Sequence, residues 1–218
     1  SESELMFHSY NLQEMRSRAA CGSQTPTGNT RPSVEVPTTL NLNIPTRTPI
    51  RVPIEVSDPD GDPVTTSWDQ SNTSGIVTLS AGDTGSNSII RAIMPNTETE
   101  RVIPRWDYLL AGIPSPGETL PTKNRNITLN MIARDNRPGG GATSMQTTVL
   151  KSIITPSPFA VTAPADGRAH STGPLLVTWE TAGTQSDPFN LPNVRISLMR
   201  SDADRNPLVL AETTPNDG

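Results

Sequence analysis

Asp58-Pro59-Asp60-Gly61-Asp62-Pro63-Val64-Thr65-Thr66-Ser67-Trp68 is the stretch from which the fold is read. Three carboxylates stand at alternate positions around a glycine that lets the backbone turn sharply. Carboxylates crowded into one turn repel one another until water or a cation separates them, and hard oxygen ligands of this kind suit calcium. Before the turn, Ile50-Arg51-Val52-Pro53-Ile54-Glu55-Val56-Ser57 alternates apolar and polar, the period of a strand. After it, a second alternating run ends on Trp68, a side chain large enough to anchor a core. The acidic turn therefore joins two strands of a β-sandwich.

Composition agrees with an all-β chain. Among 218 residues there are 22 prolines, roughly double the usual share. Aromatics are few, while Thr, Ser, Asn and Val are common, a mix that favours strands and turns over helices. The formal charge of −5 is spread without long like-charge runs, which gives nucleic acid no basic face to bind. No apolar run approaches the roughly 18 residues that a membrane span needs. The first residues, Ser1-Glu2-Ser3-Glu4, carry no signal-peptide pattern, so a secreted or cell-surface location would require a signal further upstream. Cys21 is the one cysteine. It is either a lone thiol or part of a neighbouring upstream domain.

Residues 5–20 form the clear helical stretch. Asn11 with Glu14 gives a capping-box pattern. Leu12, Met15 and Ala19-Ala20 fall near one face, Arg16 and Arg18 come late, and Gly22 supplies a stop. An isolated helix of about ten residues is marginal in water, so it needs a surface, and an upstream domain is the expected one. Residues 22–33 read as an extended linker.

Residues 34–155 read as one Ig-like or cadherin-like β-sandwich, with strands expected at 34–36, 39–44, 50–57, 63–69, 75–79, 88–94, 126–134 and 143–153. The segment 95–125 breaks this rhythm with five prolines and the cluster Trp106-Asp107-Tyr108-Leu109-Leu110. It reads as a long excursion with a helical turn near 106–111, either an apolar plug or a functional loop. Arg134-Asp135-Asn136-Arg137-Pro138-Gly139-Gly140-Gly141 is a second Asp/Gly turn. Placed at the same end of the sandwich, Asp135 would complete a calcium cage with Asp58, Asp60 and Asp62. Both turns are equally readable as ordinary ones, with aspartates capping their own backbone. Residues 156–218 hold four further strands, around 158–164, 175–180, 193–199 and 208–211, with Trp179 in the second. These look like the first half of a second, truncated Ig-like or fibronectin-like unit, to be completed by a continuation or a neighbouring molecule.

Catalytic patterns are missing from the sequence. His8 and His170 lie far apart, and H-E-x-x-H, G-x-S-x-G and phosphate-binding glycine loops do not occur. Asp69 and Asp107 are lone carboxylates near aromatics, readable as surface residues. A glycosidase would need two carboxylates facing across a cleft, and no such pair can be picked out.

Several motifs together resemble bacterial secreted metzincins of the reprolysin-like kind, in the region that follows their catalytic domain. Met6-Phe7-His8-Ser9 with Leu12-Gln13-Glu14-Met15, running to Cys21, is similar to the last helix of such a domain. Gly28-Asn29-Thr30-Arg31-Pro32, Ile44-Pro45 with Thr48-Pro49, Asp58 to Asp62 leading to Trp68-Asp69-Gln70, and Ala133-Arg134-Asp135-Asn136 resemble the β-sandwich that follows. Pro158 to Pro164, Val177-Thr178-Trp179 and Thr214 to Gly218 continue the likeness. The resemblance implies an exported zinc peptidase whose zinc lies in a catalytic domain outside these residues. This region would be its non-catalytic accessory part, with the upstream protease domain as partner. The rival reading is a stand-alone adhesin-like module that recognises carbohydrate or extracellular protein through the 95–125 excursion.

Overall fold

The computed structural model describes residues 6–19, 25–38, 40, 42–75, 77–165, 173–199 and 207–218. Helix α1 (Ser9–Arg18) is followed by β1 (Ser33–Glu35), β2 (Asn43–Pro45), β3 (Ile50–Pro53), β4 (Glu55–Ser57), β5 (Thr65–Gln70) and β6 (Glu100–Ile103). Helix α2 (Trp106–Ala111) precedes β7 (Arg125–Arg134), β8 (Thr143–Ile153), β9 (Ala160–Ala163), β10 (Thr178–Glu180), β11 (Asn193–Leu198) and β12 (Leu208–Pro215). The protein is mostly strand, arranged in several sheets, with few helices.

Strand β7 sets the plan because it pairs on both sides and its apolar residues recur at every second position from Ile127 to Ala133. Ile127, Leu129, Met131 and Ala133 are fully buried on one face, as a period of two requires. β7 pairs antiparallel with β8 along its whole length and with β5 on its other side, and β2 adds to β8 in parallel. The resulting order is β2-β8-β7-β5. Trp68 sits opposite Met131 and is 1% exposed, so it anchors the core as expected. The same hydrophobic cluster takes Val34 from β1, Val52 from β3 and Ile103 from β6. Those strands form the separate ribbons β1-β4 and β3-β6.

The outer face of the four-stranded sheet is also covered. Ser67 and Asp69 of β5 and Ile132 of β7 are buried although they point away from the core cluster. Helix α1 lies over them. Ser9, Gln13 and Arg16 reach Asp69, Met145 and Thr143 respectively. Their i, i+4, i+7 spacing is that of one helix face, and here the contacting face is polar. The helix expected to need an upstream domain therefore packs on its own chain's sheet. Its N-cap is His8, which places Asn11 inside the helix and removes the Asn11–Glu14 capping box. Met15 stays exposed. Cys21, Gly22 and His170 lie outside the described residues.

Two expected strands did not form. Residues 88–94 contain none, and the described part of 75–79 contains none. This stretch is held by side-chain acceptors instead: Gln70 Oε1 takes the amides of Ile89 and Ile90, and Asn87 Oδ1 takes that of Thr84. Strand β6 arose within the proline-rich excursion, pairing with β3. α2 occupies 106–111 as expected, but it buries none of its residues, so it is not an apolar plug. The excursion is fixed by charge: Arg101 and Glu118, both buried, form an ion pair, and Glu118 also accepts from Ser115 Oγ and the Arg105 amide.

After residue 156, β9-β10 and β11-β12 are separate two-stranded ribbons. Among the described residues there, only Ala182 and Phe189 are buried hydrophobics. Trp179 is half-buried, and its indole N–H donates to Asn216 Oδ1 at 2.9 Å.

Candidate functional site

The two Asp/Gly turns meet at one corner, as their sequence suggested. Gly61 has φ of +78°, a conformation that suits glycine, and this folds Asp58, Asp60 and Asp62 together. One oxygen from each lies within 4.8 Å of the others. Asp58 Oδ1 accepts the amides of Asp60 and Asp62 at 2.9 and 3.1 Å. Its Oδ2, like Asp62 Oδ2, is enclosed without a hydrogen-bond donor.

A cation already faces this group. Arg137 Nη1, from the second turn, is 3.4 Å from Asp60 Oδ2 and 3.6 Å from Asp62 Oδ2. Asp135 is placed differently. It is fully buried and both its oxygens are engaged: Oδ2 with Asn29 Nδ2 at 2.7 Å, Oδ1 with the amides of Ala142 and Arg137 at 2.8 and 3.2 Å. Burial pushes its carboxyl up, but these donors and the Arg137 charge outweigh it and hold it below the ordinary range. Three of the four expected calcium ligands are thus brought together, and Asp135 serves as an internal hydrogen-bond acceptor beside them.

What Asp135 and Asp60 hold is the segment before β1. The Thr30 amide donates to Asp60 Oδ2 at 2.6 Å, and Asn29 Nδ2 reaches both Asp135 and the Gly140 carbonyl. Gly140 lets this strap lie close, because a Cβ there would meet Thr27 Cγ2 at 2.6 Å. Residues 25–31, within the stretch 22–33 read from sequence as an extended linker, are therefore an anchored strap.

A third carboxylate, Asp69, does the same for α1. It is 4% exposed, against the surface placement read from sequence, and its Oδ2 accepts the Ser9 amide at 2.6 Å. A carboxylate at a helix N-terminus meets orphan amides and the positive end of the dipole. Since His8 offers no side-chain cap, Asp69 caps the helix from a distant strand. Asn130 Nδ2 donates to Ser9 Oγ, and Thr147 Oγ1 donates to Asn130 Oδ1. Arg134 Nη2 reaches the Phe7 carbonyl; burial lowers this guanidinium's pKa, while the Asp69 charge raises it. The signal for this anchorage was the polar i, i+4, i+7 stripe, which a search for apolar periodicity passes over.

A separate groove of about 620 Å³ runs along β6 and α2, with Met94, Pro95, Val102 and Trp106 beside Glu98, Glu100 and Asp107. Asp107 is exposed and pairs with Arg105.

The class defined by this architecture is a β-rich protein with an anchored N-terminal helix and strap. No family model matches the chain, and neither a curated protein nor a solved structure matches it. No described helix is long and apolar enough to cross a membrane.

Proposed function

We propose that this chain is a non-catalytic accessory module that holds a preceding segment rigidly against a β-rich body. The module would position or dock an exported zinc metallopeptidase of the reprolysin-like kind on a surface or substrate. The observation that carries this reading is the set of carboxylate tethers: Asp69 on Ser9, Asp135 on Asn29 and Asp60 on Thr30. Each fixes a residue near the N-terminus to a turn or strand far along the sequence. A chain preceding Ser9 is thereby given a fixed direction of exit. The tandem Ig-like or cadherin-like arrangement, with 34–155 as the complete unit and 156–218 as half of a second, is the architecture this role favours.

Calcium is the cofactor of this reading. Asp58, Asp60 and Asp62 would hold it, and the two donorless oxygens of Asp58 and Asp62 fit a hard cation. Arg137 offsets part of the charge of this corner, and calcium would compete with it for Asp60 and Asp62. A thermal melt with and without millimolar calcium tests this, on wild type and on Asp60→Ala with Asp62→Ala. A ligand that binds only the native state at a hundredfold excess over Kd adds about 2.7 kcal/mol. The wild type should therefore melt higher in calcium and the double variant should not; coincident wild-type curves would remove calcium from the account. Peptide hydrolysis by the chain, with zinc supplied, would overturn the non-catalytic reading.

One observation favours a second reading, an adhesin-like module. The groove at Trp106 combines an aromatic with carboxylates, a combination that suits sugars as well as peptides. Glycan binding lost in Trp106→Ala would select it.

A further inference from the structure

Between the first turn of α1 and the end of β5 lies a second cavity, of about 420 Å³, lined by His8, Tyr10, Gln13, Asp69, Ser71, Thr73 and neighbouring residues. Of the described residues that line it, only Asp69 carries a fixed charge. The Asp69 side chain is 5% exposed. One of its oxygens takes the Ser9 amide, and the other, Oδ1, has no hydrogen-bond donor.

Leaving a buried carboxylate oxygen undonated is expensive, more so than for a neutral group. Among the described residues none supplies the donor. His8 Nδ1 stands 3.6 Å from Oδ1, beyond hydrogen-bond reach. Asn130 Nδ2 is committed to Ser9 Oγ. The Arg134 guanidinium is committed to Ser67 Oγ and the Phe7 carbonyl, and it acts on Asp69 only through its charge. Gln70, which also lines the cavity, turns its amide oxygen to the amides of Ile89 and Ile90, and its Nε2 makes no hydrogen bond to Asp69 or any other described group. At the mouth stands Tyr10, 72% exposed, an aromatic face of the kind that attracts cations.

From this geometry we infer that the cavity is a binding site for a primary alkylammonium group, which displaces the half-exposed His8 ring from beside the enclosed Asp69 Oδ1 and takes that oxygen as its acceptor, with Tyr10 as its aromatic wall. An ammonium brings several N–H donors on a slender alkyl stem. It can satisfy Oδ1 while Ser71 and Thr73 accept its remaining protons. The same chemistry is presented by the end of a lysine side chain and by a free diamine.

The test is an NMR titration of the whole chain with two probes, Nα-acetyl-lysine methylamide and 1,5-diaminopentane. Saturable shifts confined to residues 8–13 and 69–73 are expected. Asp69→Asn keeps an oxygen for the Ser9 amide, so α1 stays docked, while the charge is gone. Binding should then weaken at least about tenfold, the worth of a hydrogen bond to a charged group. Tyr10→Ala touches nothing in the core and should weaken binding roughly threefold. Tighter binding of the capped lysine would identify a protein side chain as the natural occupant; equal or tighter binding of the diamine would identify a free amine. The inference is overturned if neither probe gives saturable shifts, or if both variants bind as the wild type does.

Discussion

Four aspartates near the two ends of β5 show how one side chain takes different roles from its surroundings. Asp58 and Asp62 keep donorless oxygens beside a turn, Asp135 spends both oxygens on internal donors, and Asp69 caps a helix sixty residues away in sequence. Removing the last should release the helix. Asp69→Ala leaves the Ser9 amide without its acceptor and deletes the charge at the helix N-terminus, a loss of about 1–2 kcal/mol. Amide exchange over residues 8–18 should accelerate while β7 exchanges as before; unchanged protection in α1 would show that the cap contributes nothing. Asp83 sets an acid limit in a similar way. Burial raises its carboxyl, but the amides of Thr122 and Gly85 and the buried Arg125 guanidinium outweigh that and hold it below its ordinary value. A carboxyl depressed in the folded state contributes stability above its unfolded pKa, near 4, and loses that contribution as pH falls through the folded value. Asp83→Asn should therefore melt lower than wild type at neutral pH, by about 3 kcal/mol because Arg125 is left buried without its partner. The two should converge as pH falls below the folded value. A gap that persists in strong acid would sink this assignment.

The elements that sequence reveals are those whose own period decides their burial. β7 places Ile127, Leu129, Met131 and Ala133 on the core face, β8 buries alternate residues over its second half, and both formed over nearly the expected residues. The apposition of the two Asp/Gly turns was anticipated as one arrangement a sandwich allows, and it is the antiparallel pairing of β5 with β7, Thr65 opposite Arg134, that produces it. Two things were not legible. The outer face of β5 reads as solvent-facing from Ser67 and Asp69, since nothing local announces that a helix covers it through Ser9, Gln13 and Arg16. β6 was hidden because it buries Arg101, whose partner Glu118 lies beyond α2; no pattern within four residues encodes that pair. The 88–94 segment failed for the opposite reason. Its Ile89 and Ile90 enter the core, but their amides go to the Gln70 side chain, so apolar burial occurs without a strand.

At the scale of the whole molecule, apolar burial is divided unequally, and that division should govern how the protein opens. The main hydrophobic cluster draws on seven strands before residue 156. Beyond it, the ribbons are organised around one polar residue. Asn216, 3% exposed, accepts from Trp179 Nε1 and donates to Thr184 Oγ1 and to the carbonyls of Leu191 and Pro192. Val161, Leu176, Leu208 and Leu210 remain exposed nearby. Segments with few buried apolar contacts open at lower free energy than the core. Hydrogen exchange should accordingly show two tiers, with β5, β7 and β8 opening only with global unfolding and β9 to β12 opening first. Asn216→Ala keeps the backbone bond to Pro192 but removes the side-chain bonds, and each buried group left without its partner costs about 1–3 kcal/mol. The variant should raise exchange across β10 to β12 and leave the β7 plateau in place. A single cooperative transition that moves both regions together would mean the ribbons draw their stability from the main core, through contacts such as Asn43 Nδ2 on the Pro188 carbonyl and the Phe159 amide on Thr48 Oγ1.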